Sequence, residues 1–561
     1  MHIQSDRAHA PYTFADWQAG KRPKKGWDCA DAVDDGWSAP ELDAFMRATA
    51  RPWSPPQQKP AGEPAESVSA VAVFRPRQSP APPVAAARTV RQDAGKALIL
   101  DRRDPLPSAR KLLTAFYAVG GLRTLHHHRG SFYEWNGSCY RDADHDAIQA
   151  AIWAFLDQAL CYTPEKELGP FQPNRSRVGD VFAALSAACN LPASIETPAW
   201  LASGDRPPAS ELLAVENGLL HLPTGTLHPP TPSYFGLSAA DVSFDPNAPE
   251  PSEWLRFLDQ IWPSDRQSIE TLQDLFGYLL APDTSQQKIA LIVGPKRSGK
   301  GTVARVLTGL LGHGSVAAPT LASLATNFGL APLIGKPLGI IGDARLGTRA
   351  DQAAIAERLL SISGEDSLTI DRKFLPAWTG RLPIRFVIMT NELPRLADAS
   401  GALASRFVVL TMENSFFGRE DRGLGNRLLG ELPGILNWAR AGYIRLRQRG
   451  YFLQPDSARD AIDELEALGS PVAAFVKQRC TVAPGLQCMP ERVFEEWKVW
   501  CEANGRKEAG TLQSFGRDLR AVVSGLKVSR PRVEGQQVRI YEGIDIAGNK
   551  AIEPKESMAD W

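Results

Sequence analysis

At 561 residues the chain is too long for one ordinary domain; at roughly 100–200 residues per domain it should hold three or four units. Hydrophobic residues make up 43% and charged residues 22%, a globular mixture that excludes a wholly disordered chain. Lys+Arg and Asp+Glu are equal at 63 each, so whole-chain charge gives no argument for a polyanionic partner, and any nucleic-acid surface has to be local.

The start, MHIQSDRAHAPYTF, has no signal-peptide apolar core, and no stretch approaches the roughly 18 apolar residues that span a bilayer. The expectation is a soluble, cytoplasmic, multidomain protein with no membrane contact. Residues 1–50 include KKGWDCADAVDDGW and ELDAFMRATA, too little for an independent core. Residues 51–92 are rich in Pro and Ala, with little apolar periodicity, and read as an extended linker.

Residues 93–250 read as a mainly helical domain with short strands. SARKLLTAFYAVGG has helical spacing and ends on a Gly pair, and DAIQAAIWAFLDQAL is amphipathic. Two hairpins are predicted, one turning at Asn136-Gly137 and one at Thr224-Gly225. Adjacent histidines on one element point in different directions, so His126-His127-His128 is assigned a structural or solvated role rather than a metal.

From 251 to 455 two helical stretches lead into the apolar runs KIALIVG, KPLGIIGD, IRFVIMTN and RFVVLTM, separated by helical segments. That alternation predicts an α/β unit with a mostly parallel sheet. In 465–546, ERVFEEWKVWCEANG, TLQSFGRDLRAVVSGL and KVSRPRVEGQQVRIYEGI give helix, helix and two strands around Glu534-Gly535, the order of a winged helix. Residues 547–561 form a polar tail. The seven cysteines (Cys29, Cys139, Cys161, Cys189, Cys480, Cys488, Cys501) include no CxxC pair, and no histidine follows Cys480 and Cys488 at ligand spacing, so no zinc site is expected.

The sharpest signal is LIVGPKRSGKGTVARVLTGLLG. A strand runs into Gly294, Pro295, Lys296, Arg297, Ser298, Gly299 and Lys300, and a helix starts at once. Glycines let backbone N–H groups approach phosphate oxygens, the helix N-terminus favours negative charge, and Lys300 reaches the β/γ-phosphates of ATP. Gly301 stands where a Ser or Thr is usual, and Thr302 carries the hydroxyl one step later. Mg²⁺ is then held by Thr302 directly or through water. Asp343, at the end of the run KPLGIIGD, is a second candidate Mg²⁺ ligand or else a turn cap. The water-activating group is open among Asp343, Glu365 and Asp366. Asn391 ends the next run, placed to orient water or sense the γ-phosphate, or simply to form a turn. Arg406 reads either as an arginine finger delivered by a neighbouring subunit or as a surface arginine.

Between Asp343 and Asn391, GEDSLTIDRKFLPAWTGRLP reads as a hairpin carrying Arg372, Lys373, Trp378 and Arg381, suited to phosphate contact and base stacking or merely solvated. In the last segment Arg517 and Arg520 share one helix face, and Lys527, Arg530, Arg532 and Arg539 follow on the ribbon. That pattern serves duplex binding or a protein contact.

In order, GPKRSGKGT, IIGDARL, GEDSLTIDRKF, FVIMTNELPRL, ASRFVVL and ELPGILNWARAGYIRL resemble the superfamily 3 AAA+ helicases, especially the helicase part of phage and plasmid primase–helicases. FYEWNGSCY, VENGLLHLPTGTL and LQDLFGYLL resemble the helical domain that precedes it there, so the resemblance spans roughly 93–546. It implies an AAA+ P-loop ATPase that forms rings, usually hexamers, with ATP sites between subunits. Such rings move on single-stranded DNA, usually 3′ to 5′, at forked substrates. On it Lys300 and Thr302 fall in the nucleotide loop, Asp343 in the second acidic motif, Lys373 in a DNA-contacting hairpin, Asn391 in the sensor and Arg406 in the finger. Asp343 is single where many relatives carry two acids. KKGWDCADAVDDGW resembles the closing piece of a primase module; without that module's catalytic carboxylates no primer synthesis is expected, and a separate primase or loader is an expected partner. The leading expectation is a ring-forming, ATP-driven DNA helicase that replicates a phage, plasmid or integrated element. A DNA-binding ATPase switch without unwinding comes next, and a small-molecule kinase is a distant third for want of an acceptor pocket.

Overall fold

The computed structural model describes residues 37–38, 40–41, 44–45, 97–342, 344, 351–373, 375–394, 396, 402–506, 509–533 and 536–547. Most of the expected primase fragment, the linker at 51–92, Asp343, the Glu534-Gly535 turn and residues 548–561 therefore lie outside the described residues. The chain divides into two units, Met1–Pro82 and Pro83–Trp561, and the features below all belong to the second.

Residues 97–250 are not mainly helical. Three helices, Pro105–Phe116, His145–Asp157 and Arg175–Ala188, share the segment with a dozen strands of two to five residues. Such short strands carry too little alternation to show in a hydropathy pattern, which is why the sequence reading overstated helix. The helices form because each has a start signal and an apolar stripe. Asp144 and Asn174 accept from Asp146 N and Arg177 N at the second and third helix N-termini. Ile148, Ile152, Phe155 and Leu156 then meet Val178, Val181 and Leu185 and Leu112 of the first helix in one core. Both expected hairpins are present. Ser131–Trp135 turns at Asn136-Gly137 into Tyr140–Asp142, the Asn136 side chain accepting from Ser138 N and Cys139 N at 3.1 and 3.0 Å. Gly218–His221 pairs with Thr226–His228 across Thr224-Gly225.

The central unit is built on a five-stranded, wholly parallel sheet. Its spatial order is Val316–Ala317, Leu338–Ile341, Arg385–Thr390, Ile289–Val293, Phe407–Thr411. Taken in chain order the strands lie 2-3-4-1-5, so the first strand, which ends at the Gly-rich loop, is inserted between the fourth and the fifth. The order of the chain reverses there, and a crevice opens at the carboxyl ends of the strands at such a reversal. Strand residues are buried on both faces, one face in the core with Trp254, Leu275 and Leu307, the other with Leu359, Ile370 and Trp378. Helices Arg266–Leu280 and Leu432–Arg449 pack together at one side, with the carboxylate of Asp274 between Arg445 and Arg449, at 2.5 Å from each.

At the C-terminus, Pro471–Arg479, Cys480–Cys488, Pro490–Ala503, Leu512–Val522, Lys527–Ser529, Arg532–Val533, Gln536–Gln537 and Ile540–Ile546 give helix, strand, helix, helix and four strands; one sheet is ordered Cys480–Cys488, Ile540–Ile546, Lys527–Ser529, and Arg532–Val533 pairs antiparallel with Gln536–Gln537. Phe475, Trp497, Trp500, Phe515 and Tyr541 fill its core. The first helix and first strand escaped the sequence reading. Pro484 and Gly485 interrupt that strand, and its register shifts between Val482 and Gln487. No helix among the described residues is long and apolar enough to cross a membrane.

Candidate functional site

Strand Ile289–Val293 delivers the chain into the loop 294–299, and helix Lys300–Leu311 begins immediately. Two glycines are demanded by geometry. Gly299 caps the helix at φ +102, which favours glycine, and a Cβ on Gly294 would lie 2.6 Å from Met412 O. Arg297 also adopts a left-handed conformation, φ +62, at the loop's crest. Lys300 Nζ folds over the loop, donating to Gly294 O at 2.6 Å, Pro295 O at 2.8 Å and Ser298 Oγ at 3.2 Å. Burial pushes the Lys300 ammonium below its usual value. An anion seated against it would favour the charged form and oppose that shift.

The loop floors a cleft of about 730 Å³. Its walls come from helix Ser252–Ile261 (Phe257, Gln260), the end of the fourth strand (Asn391) and the segment after the fifth strand. That segment is tied to the loop: Met412 N donates to Val293 O at 2.7 Å, Ser415 Oγ to Lys296 O at 2.8 Å and Phe416 N to Arg297 O at 2.9 Å. Lys296, Arg297, Lys300, Arg305, Arg419 and Arg422 line the cleft against two acids, Glu420 and Asp421. Arg297 faces Glu420 at 3.4 Å, and Asp421 is taken up by Arg427 at 2.6 Å. The uncompensated charge is positive and converges on a helix N-terminus, the chemistry of a polyphosphate site. Phe257, Phe416 and Leu424 add an apolar flank.

Of the residues expected in this site, Lys296, Arg297, Ser298, Gly299, Lys300, Gly301, Thr302 and Asn391 line the cleft together. Gly294 and Pro295 reach it through their carbonyls on Lys300. Asp343 lies outside the described residues, so its part in holding Mg²⁺ stays an expectation. Thr302 is half-buried in the first helical turn beside Lys300. Among the described residues no group of three His, Cys, Asp or Glu is arranged to hold a metal ion. A hydroxyl with phosphate oxygens is nonetheless a donor set that Mg²⁺ accepts, since it binds through few protein ligands plus substrate phosphates. Glu365 accepts from Thr284 and sits 3.6 Å from Arg381, away from this cleft.

Arg406 is the last residue of helix Ala402–Arg406 and donates to Gln287. The next residue, Phe407, pairs with Ile289, the first residue of the strand whose other end carries the loop. Five strand residues, about 16 Å at 3.3 Å each, separate Arg406 from the Lys300 loop of the same chain.

Strands Ser367–Arg372 and Leu375–Arg381 form the expected hairpin. Trp378 does not present a stacking face: it is 6% exposed, packed in the core under the sheet, with the Arg129 guanidinium 5.4 Å above its ring. The strand's alternation puts Trp378 inward, where a large apolar ring is cheapest to place. Arg372 is held by Pro376 O, Ser131 Oγ and Arg129 O at 2.9, 3.0 and 3.2 Å, whereas Lys373 is exposed at the turn. In the C-terminal module Phe515 and Leu519 bury one face of helix Leu512–Val522, and Arg517 and Arg520 lie exposed on the other. Lys527, Arg530 and Arg532 are exposed in the segment that follows. His126 and His128 are buried against Phe235 rather than solvated.

The sequence reading missed Phe257, Gln260, Arg305 and the run Phe416 to Arg422. The signal available was GREDRG following an apolar run: charge clustered just past a strand's carboxyl end. Using it needs the knowledge that the fifth strand lies beside the first, which spacing along the chain does not carry.

Residues 111–263 match the family described as D5 N terminal like, and residues 292–406 match a family of unknown function, DUF5906. The first match likens residues 111–263, and no more of the chain, to the N-terminal part of primase–helicase-like proteins. Among solved structures, the apo structure of NrS-1 C terminal region (305-718) is similar with a TM-score of 0.44 and 15% identity, over 79% of this chain and 100% of that one. The A form apo structure of the NrS-1 C terminal region has a TM-score of 0.43 at 14% identity, over 78% of this chain and 100% of that one. A likeness this loose bears no weight for function.

Proposed function

We propose that this chain is an ATP-driven DNA helicase of the superfamily 3 AAA+ type that acts in replication of a phage, plasmid or integrated element, as a ring, expected to be hexameric, moving 3′ to 5′. One observation carries the reading: the Lys300 loop sits at the carboxyl end of the first strand of a parallel sheet ordered 2-3-4-1-5, while Arg406 stands at the sheet's other end, out of reach of its own loop. A site whose cation is supplied by the next subunit explains that separation.

In this reading Lys300 and the backbone amides at the start of helix Lys300–Leu311 bind the β/γ-phosphates, and Arg419 and Arg422 add positive charge. Thr302, with Asp343, holds Mg²⁺, which neutralises charge on the phosphates when bound. Asn391 orients the attacking water or senses the γ-phosphate from the end of the adjoining strand. Lys373 at the exposed hairpin turn meets single-stranded DNA. The order helix, strand, helix, helix, then strands in the C-terminal module supports a winged helix, with Arg517, Arg520, Lys527, Arg530 and Arg532 facing duplex phosphate.

Strand displacement on a forked duplex with ATP and Mg²⁺, with tails offered on each strand separately and Lys300→Ala as control, tests the proposal. Displacement that needs Lys300 and a 3′ tail is expected. Binding and turnover with no displacement on either tail, in a chain confirmed to form rings, would move the protein to a DNA-bound ATPase switch.

A further inference from the structure

Away from the phosphate loop, a second cleft of about 400 Å³ opens where three parts of the chain meet: the strand Tyr140–Asp142, the turn before Leu338–Ile341 and the hairpin Ser367–Arg381. Four cations line it, Arg141, Lys336, Arg372 and Lys373, and Asp142 is the one acid on its wall among the described residues. Three of the cations are fixed by neutral acceptors. Arg141 donates to Gly314 O at 2.9 Å and to Leu237 O at 3.3 Å, Lys336 to Gly314 O at 2.6 Å, and Arg372 to Ser131 Oγ and Arg129 O at 3.0 and 3.2 Å. Carbonyls and a hydroxyl set the direction of a charged side chain without cancelling its charge. The cluster is crowded enough to be felt: burial, with the Arg141 guanidinium adding to it, holds the Lys336 ammonium below its usual value. Asp142 acts on Lys336 and Arg372 and offsets part of this charge, leaving a positive excess that an anion would balance.

The cleft continues to the exposed Lys373 and to Leu375, 41% exposed at its mouth, so it is an open trough rather than a closed cavity. Its volume takes one or two phosphodiester units and not a duplex, whose major groove alone is about 12 Å wide. We propose that this trough holds the phosphodiester backbone of a single nucleic-acid strand, with Arg141 and Lys336 as phosphate-positioning residues that extend the path beyond the hairpin onto the N-terminal module. This deepens the helicase reading and rests on its claim that Lys373 meets a strand.

The test is binding of a fluorescent single-stranded oligonucleotide to the full chain across a salt series, with Lys336→Gln, Lys336→Arg, Arg141→Gln and Lys373→Ala. Nucleotide binding at the Lys300 loop serves as the folding control. Lys336→Gln and Arg141→Gln are each expected to weaken strand binding about fivefold to tenfold and to lower the salt slope by about one, and Lys336→Arg is expected to restore both. Arg141 ties two segments together, so Lys336 decides the matter if Arg141→Gln fails to fold. Strand binding that falls with Lys373→Ala but is untouched by Lys336→Gln overturns the trough and leaves the helicase reading standing. No strand binding by the unaltered chain overturns both. A labelled nucleoside triphosphate that binds Lys300→Ala and is lost on adding Lys336→Gln would show a free-polyphosphate site, and the strand proposal falls.

Discussion

Arg406 and Lys300 stand at opposite ends of one strand register: Arg406 precedes Phe407, the partner of Ile289, and Lys300 follows the loop that leaves Val293. On the proposed function Arg406 serves the neighbouring subunit's nucleotide. Arg406→Ala is therefore expected to keep nucleotide binding and lose turnover by roughly a thousandfold. Lys300→Ala should lose both. Mixed rings of the two variants place an intact Arg406 beside an intact Lys300 at some interfaces and should regain part of the turnover. ATPase assays at fixed total protein across mixing ratios measure this, and a mixture no more active than either variant removes the finger from the mechanism.

Gly301 departs from the usual phosphate-loop sequence, and nothing lies within 4 Å of a Cβ built there. It sits in the first turn of an α-helix, where glycine costs roughly 0.5–1 kcal/mol relative to alanine. Gly301→Ala should therefore raise the unfolding midpoint slightly and leave nucleotide affinity within about twofold. Gly294→Ala, aimed at Met412 O, should disturb the loop and weaken nucleotide binding. Calorimetric titration of both variants separates the two glycines; equal losses would mean that Gly301 is needed by the bound phosphates.

What the sequence made legible follows from how local each signal is. The Lys300 loop was readable because strand, glycines, lysine and helix are adjacent, and Asn136-Gly137 gave its hairpin for the same reason. Trp378 was misplaced because TIDRKFLPAWTG shows a hairpin but not which of its faces a core covers. Arg419 and Arg422 were invisible because they reach the cleft only through the pairing of the fifth strand with the first. The short strands between 118 and 235 were underweighted because two to five residues carry no readable period.

The Asp274 carboxylate, 2% exposed, is clasped by Arg445 and Arg449 between two helices flanking the sheet. Removing the carboxylate leaves Arg445 and Arg449, 35% and 18% exposed, without their shared acceptor. Asp274→Ala is expected to destabilise the fold by about 2–3 kcal/mol, the range for lost hydrogen bonds to a charged group and below that for a fully buried pair. Urea unfolding followed by tryptophan fluorescence reads this directly. A loss under about 1 kcal/mol would mean that water replaces the carboxylate.

His126 is 5% exposed on the strand Leu125–His128, facing the rings of Tyr140 and Phe235 at 5.4 and 6.0 Å. Burial, helped by the nearby Arg123 and His128 and opposed by the Cys189 backbone, pushes its imidazole down to about 4 from 6.5. Between those two values the unfolded chain takes up a proton that the folded one refuses, so stability rises with pH across that window. The contribution is fully present above 6.5 and is lost as pH falls towards 4. At 1.36 kcal/mol per pKa unit, His126 alone accounts for about 3 kcal/mol of acid sensitivity. His126→Phe keeps a ring of similar size among the same aromatics and removes the titration. Its unfolding midpoint, followed from pH 7.5 to 4.5, should therefore fall less steeply than that of the unaltered chain. Parallel curves for the two proteins would show that His126 takes up its proton without unfolding, through an opening of the sheet around Tyr140 and Phe235.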